Sequence, residues 1–226
     1  MAGQPSQNNS AFHVEVCGGI ASGKTTLATV LNSPRLAVAL ENFSENPFWQ
    51  AFYKDPVGNA LETEIVFLLQ HYHHIKMSKR QSTSFICDFS LYLDLAYAMI
   101  TLDESGKNIF ESIFAEINRH ISRPALIVRL KCSPETELQR IRSRGRAQER
   151  AITVDYLSRL ELALEAALKR AQSMVVTIDS EQIDFRNDSS VVREILATTT
   201  ADIFWRATAE GQSIVLDSDG ESKIRV

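Results

Sequence analysis

The sequence predicts an α/β domain: a parallel sheet of five strands, flanked by helices in a three-layer arrangement. Three observations carry this. Five short apolar runs recur, at residues 12–16, 36–40, 84–87, 125–130 and 174–178. The intervals between them leave room for helices, and strands alternating with helices imply parallel pairing with both faces covered. Several runs are apolar without strict alternation, as strands covered on both faces are.

Each helix has its own signals. Residues 24–32 follow a glycine-rich loop and stop before Ser33 and Pro34, because proline disfavours helix in the residue preceding it. Residues 61–79 place apolar side chains near helical spacing. The stretch 88–101 is apolar on most sides, as a buried helix would be. Ser133 followed by Pro134 reads as a cap with proline at the first helical position. Residues 153–171 are rich in Leu, Ala and Glu. With neither repeats nor low-complexity linkers, residues 11–205 read as one domain. Residues 1–10 are polar and read as a disordered tail without a secretion signal. In the extension 206–226, runs at 213–216 and 223–226 flank the turn Asp217-Ser218-Asp219-Gly220. A terminal ribbon and a disordered end both stay open there.

Composition narrows the function. The 226 residues are 44% hydrophobic and 23% charged, as in soluble globular chains. The net charge of −4 makes the molecule as a whole no binder of nucleic acid, so phosphate affinity must be local. No apolar run approaches a membrane span. Cys17, Cys87 and Cys132 match neither metal-ligand spacing nor a disulfide framework. They read as small buried thiols, and a cytoplasmic location is expected.

The loop Gly18-Gly19-Ile20-Ala21-Ser22-Gly23-Lys24-Thr25, continuing into Thr26, sits between the first strand and the first helix. Its glycines let backbone N–H groups converge on phosphate oxygens at a helix N-terminus. Lys24 would bridge the terminal phosphates of ATP and the Thr25 hydroxyl would ligate Mg²⁺. Kinases, GTPases, ATPases and motors share this loop. The guanine-reading Asn-Lys-x-Asp pattern is missing, and Asp88 is followed by Phe89 rather than the Glu of many motors. Five arginines lie between 140 and 150: Arg140, Arg142, Arg144, Arg146 and Arg150. Arg140 and Arg144 share a helix face, and Gly145 would end the helix. Such a segment is either a lid that closes on phosphates or a solvated basic surface, and the phosphate loop favours the lid.

At this point the chain resembles the deoxynucleoside kinase family over roughly residues 12–195. The segment from Glu41 to Phe48 resembles the family's Glu-Pro-x-x-x-Asn-Pro. Residues 52–56 resemble its Tyr-x-Asp stretch, and Asp88 to Asp94 stand where it has Asp/Glu-Arg-Ser-x-x-x-Asp. Arg140 to Glu149 look like its lid, and residues 176–185 like its last strand and exit. The resemblance implies a P-loop kinase fold, transfer from ATP to a nucleoside 5′-hydroxyl, Mg²⁺ dependence and a homodimer packed through helices. It makes Glu41 the general base, which suits a carboxylate at the C-terminal end of a strand facing the phosphate loop. It gives Asp88 a share in Mg²⁺ and places Phe89 and Asp94 beside the substrate. Tyr53 and Glu165 would bind the sugar 3′-hydroxyl, and Arg144 with Arg140 and Arg146 would clamp phosphates.

The departures fall in the acceptor site. Where the family has Gln and, seven residues later, Arg, this chain has Glu64 and His71. The Arg of Asp-Arg-Ser is Phe89, and the aromatic residue before the Gln segment is Asn59. An ionised Glu64 offers acceptors only and would favour a base edge with two donors, as guanine has. His71 gives up a permanent charge and a forked donor. Phe89 gives up a cation near Glu41, which is then expected to have a raised pKa. His71, His73 and His74 lack the further arms of a metal site. Two other readings stand beside the kinase: a nucleotide-binding protein without turnover, serving as sensor or subunit, and a nucleoside monophosphate kinase. The second needs arginines near the acceptor, and residues 41–94 offer Arg80 alone.

Overall fold

The computed structural model describes residues 12–34, 36–81 and 84–187, together with residues 190, 191 and 194 and the strands at 213–216 and 222–225. The expected tail at 1–10 lies outside the described residues.

Strand β1 (His13–Gly18) is buried along its whole length. It pairs in parallel with β3 (Ser84–Cys87) on one side, with Val14 opposite Ile86, and with β4 (Leu126–Lys131) on the other, with Val16 opposite Val128. β2 (Leu36–Ala39) and β5 (Met174–Asp179) extend the two flanks in parallel. These are the five expected strands, each within two residues of its expected ends. The sheet continues past β5: β6 (Ser213–Leu216) joins it in parallel and β7 (Ser222–Arg225) pairs antiparallel with β6. The full order is β2-β3-β1-β4-β5-β6-β7.

One face of the sheet carries helices α3 (Ala60–Arg80), α4 (Leu91–Thr101) and α7 (Val154–Leu168), whose Leu68, Ile75, Leu95, Leu160 and Leu164 pack with Cys17, Cys87 and Phe89. On the other, α1 (Lys24–Val30) presents Leu27 and Ala28 to Val16, Ile86 and Leu130. Burial of both faces is why the strands read as apolar runs. One polar cluster lies within the core: His13 Nε2 and Ser90 Oγ contact the Glu15 carboxylate at 3.3 and 2.8 Å, and all three side chains are buried.

The caps match their residues. Ser133 Oγ accepts from Thr136 N at 3.3 Å at the start of α6 (Pro134–Arg144), and Gly145 ends that helix in the left-handed region at φ 71°. Two helices were not read from the sequence. The stretch 88–101 yields α4, and a separate α5 (Glu104–His120) follows it. Its signals were present: Asp103 caps through Gly106 N at 2.7 Å, and Phe110, Phe114 and Ile117 are buried at helical spacing. The short α2 (Trp49–Lys54) is the other, and it brings Tyr53 to the site.

Candidate active site

A cavity of about 1050 Å³ opens at the C-terminal ends of β1, β2 and β3, where parallel sheets bind ligands. Its floor is the loop after β1. Gly18 stands at φ +150°, and a Cβ there would come within 2.6 Å of the Leu130 carbonyl oxygen, so only glycine fits. Gly23 stands at φ +106° and Ala21 at φ 64°, the one non-glycine with positive φ among the described residues. These turns aim the loop at the N-terminus of α1. Lys24 Nζ donates to the Gly18 and Gly19 carbonyls at 3.0 and 2.9 Å. Burial holds its pKa below the ordinary lysine value, against the pull of Glu41, Glu137 and Asp88. The Ser22 hydroxyl is buried without a hydrogen-bond partner, an unfilled polar position in the cradle. These groups fit a phosphate chain.

The chemistry gathers at Asp88, which is buried at the end of β3. Its Oδ2 accepts from Thr25 Oγ1 at 2.6 Å and its Oδ1 from the Glu41 backbone N–H at 2.6 Å. One carboxylate therefore ties the phosphate loop to Glu41, two residues past the end of β2. Two adjacent oxygen donors at a phosphate site also fit Mg²⁺, a hard cation.

Glu41 does not have the raised pKa that the loss of an arginine at position 89 led us to expect. Burial pushes its carboxyl up, but His71, Lys24 and Arg146 outweigh burial and hold it below the ordinary value. The compensating group is His71, on α3. Its Nδ1 lies 2.8 Å from Asp94 Oδ2, its Nε2 lies 3.4 Å from Glu41 Oε1, and its ring stacks on Phe89 at 4.1 Å and 8°. Burial alone would strip its proton; the charge and hydrogen bond of Asp94, with the nearby Glu41 carboxylate, more than reverse this and raise it to about 10. Between two carboxylates His71 keeps its proton at neutral pH, so the site retains a cation there, without the permanent charge and the fork of an arginine.

Glu64 is also corrected. It is 4% exposed, accepts from Thr101 Oγ1 at 3.1 Å, and burial raises its carboxyl to about 8. It is neutral at pH 7 and offers one donor and one acceptor, as an amide does, so the expected preference for a two-donor edge lapses. Glu165 is corrected as well. It is exposed on α7, paired with Lys169 at 3.6 Å, and does not line the cavity. A helix presents successive residues about 100° apart, and position 165 falls on the solvent side.

The lid is in place. Arg140, Arg144 and Arg146 line the cavity with Ile20, Ala21, Thr26 and Tyr53. Arg140 is pinned by Ser180, whose carbonyl accepts from Nη2 at 2.8 Å. Arg144 reaches both oxygens of Glu149 at 2.8 and 2.7 Å, and Arg146 reaches the same carboxylate at 3.3 Å while lying over the Phe43 ring. Glu149 was not singled out from sequence; a carboxylate five residues after Arg144 was the available signal. Glu137 was also missed. It is buried on α6 against Gly19, so closely that any Cβ there would overlap its carboxyl, and burial raises it to about 8. Tyr97, Tyr156 and Arg159 also line the cavity. Among the described residues, His, Cys, Asp and Glu form no cluster of three that could hold a metal ion.

Residues 14–203 match the deoxynucleoside kinase family. The chain is 28% identical over 199 residues to a deoxyguanosine kinase of Bacillus subtilis (strain 168), covering 84% of this chain and 96% of that one. It is 28% identical over 191 residues to a deoxyadenosine kinase of Dictyostelium discoideum, covering 82% and 78%. Among solved structures, a deoxyadenosine kinase from M. mycoides with products dCMP and a flexible dCDP bound superposes with a TM-score of 0.72 at 21% identity, covering 82% of this chain and 99% of that one. That superposition shows the fold.

Proposed function

The chain belongs to the deoxynucleoside kinase family, and from that premise we propose that this nucleoside kinase moves the terminal phosphoryl group of ATP to the 5′-hydroxyl of a purine deoxynucleoside. The observation that carries the reading is the junction at Asp88, which fixes Glu41 and Thr25 by bonds of 2.6 Å each across one cavity. The purine preference is supported by the names of the relatives; a neutral Glu64 would pair its donor and acceptor with an adenine or cytosine amino group beside a ring nitrogen, or with guanine N1–H beside O6.

In this mechanism the loop N–H groups and Lys24 hold the donor phosphates, and Arg140, Arg144 and Arg146 close over them. Arg144 and Arg146 exchange Glu149 for phosphate oxygens. Glu64 orients the base and Tyr53 the sugar. Glu41 accepts the 5′-hydroxyl proton as that oxygen bonds to the γ-phosphorus. The bond from the γ-phosphorus to the β,γ-bridging oxygen breaks, and its electron pair leaves with ADP. Thr25 and Asp88 would hold Mg²⁺, which when bound neutralises charge on the phosphate oxygens. The reading as a binding protein without turnover drew on Phe89 and His71, and nothing in the site favours it, since His71 restores a cation beside Glu41. A cytoplasmic homodimer completes the proposal. The family resemblance supports the dimer and the three buried free thiols support a reducing compartment. No described helix is long and apolar enough to cross a membrane.

The test is ATP- and Mg²⁺-dependent phosphorylation of a panel of ribo- and deoxyribonucleosides. We expect deoxyadenosine or deoxyguanosine to turn over fastest, with Lys24→Ala and Glu41→Gln each lowering kcat by about a hundredfold or more. Deoxycytidine outrunning both purines would sink the acceptor assignment. Turnover indifferent to Glu41→Gln would sink the assignment of the base.

A further inference from the structure

His71 takes no part in the steps above, yet it is held on several sides. It is 3% exposed. Its Nδ1 lies within 2.8 and 3.0 Å of the two Asp94 oxygens. Phe89 covers one ring face at 4.1 Å, and Phe67 stacks at 6.0 Å. The carboxylate fixes the ring's rotation and the stacking fixes its plane. Nε2 is then left with one direction, and it faces Glu41 Oε1 at 3.4 Å. That nitrogen is buried and has no hydrogen-bond partner at rest. Burying an unsatisfied donor is unfavourable. The Glu41 side chain, 30% exposed against 4% for His71, is the less enclosed member of the pair, and a rotation about its side-chain bonds would close the gap.

Other donors near Glu41 are already engaged. Its own backbone N–H goes to Asp88, Lys24 Nζ goes to the Gly18 and Gly19 carbonyls, and Arg146 is held by Glu149 and Phe43. Phe89, the residue beside Asp88, has no side-chain donor. A free carboxylate samples several rotamers, and a base must meet its proton within hydrogen-bond reach.

We propose that His71 is the positioning residue for Glu41: anchored by Asp94 and Phe89, its Nε2–H draws one Glu41 oxygen into a hydrogen bond and leaves the other turned toward the acceptor hydroxyl. The inference rests on the kinase reading, with Glu41 as base.

Two measurements on the full chain test it. The first is a double-mutant cycle in kcat with the best acceptor of the panel. His71→Phe keeps a flat ring on Phe89 and removes both nitrogens. We expect it to lower kcat about tenfold to a hundredfold with the KM for ATP nearly unchanged, and to add almost nothing to Glu41→Gln, because its effect passes through Glu41. Equal fold losses in both backgrounds, or a loss confined to KM, would overturn the proposal. The second measurement needs no turnover. In the ¹⁵N spectrum of the histidine side chains, Glu41→Gln should move His71 Nε2 and leave Nδ1, whereas Asp94→Asn should move Nδ1. An Nε2 signal indifferent to Glu41→Gln overturns the proposal whatever the kinetics show. A wild-type chain without nucleoside turnover whose Nε2 does respond would sink the kinase reading while upholding the contact.

Discussion

At position 64 a carboxyl sits on α3 with the Thr101 hydroxyl as its hydrogen-bond donor and Asp94 as a neighbouring charge of the same sign. Burial raises it from an ordinary 4.5 to about 8. Between those values the folded chain holds a proton that the unfolded chain has lost. The stability this adds is present below the lower value and is lost as pH rises to the upper one. Glu64→Gln keeps the shape and removes the titration. Its melting temperature should therefore gain on the wild type from about pH 5 to about pH 8 and hold level above. A constant difference across that window would show an ionised Glu64. Glu137, also raised to about 8, adds a slope of the same sign in both proteins and cancels in the difference. The identities at 41, 64, 71, 88 and 94 were legible as site residues in the sequence. Their protonation was not, because it depends on burial and on which carboxylates meet which cation.

Among the elements, α6 and its return are where local sequence and function coincide. Ser133, Pro134 and Gly145 set the helix ends by side-chain capping, a fixed φ and tolerance of positive φ, all of which act within a few residues. At Gly145 an added Cβ meets nothing within 4 Å, so Gly145→Ala measures backbone strain alone. We expect a loss of about 1 kcal/mol in denaturant midpoint experiments with an unchanged m-value. A loss of several kcal/mol would mean that the turn carries packing as well. The lid itself was readable as an arginine cluster, but its resting state was not. Glu149 holds Arg144 and Arg146 from within the 3₁₀ turn Ala147–Ala151. α2 and α5 escaped the reading for different reasons. α2 is six residues long, too short for a period to show. α5 carries both a cap at Asp103 and a period in Phe110, Phe114 and Ile117, so its signal is present in the sequence.

Across the whole molecule, the sheet brings the ends of β1, β2 and β3 to one edge, so that residues from 18 to 94 meet in one cavity with the lid above. Binding of ATP to the folded chain alone would stabilise it by mass action, by about 2.7 kcal/mol at a hundredfold excess over Kd. A thermal shift that grows with ATP and disappears in Lys24→Ala is the expected result; an equal shift in both proteins would place the nucleotide elsewhere. The sequence by itself determined the fold class, the five parallel strands, the phosphate loop, the ends of α6 and the family. Each of these rests on a short-range pattern: a run of apolar residues, a cap, a glycine where a Cβ would collide. Only the tertiary structure decided that Glu64 is buried and neutral, that Glu165 faces solvent, and that His71 joins Asp94 to Glu41 with Phe89 as its backing. Those outcomes depend on how residues 18 to 37 positions apart in the chain come together. Desolvation and partner charge, which set pKa and contact there, exist only once the sheet and its helices have closed around them.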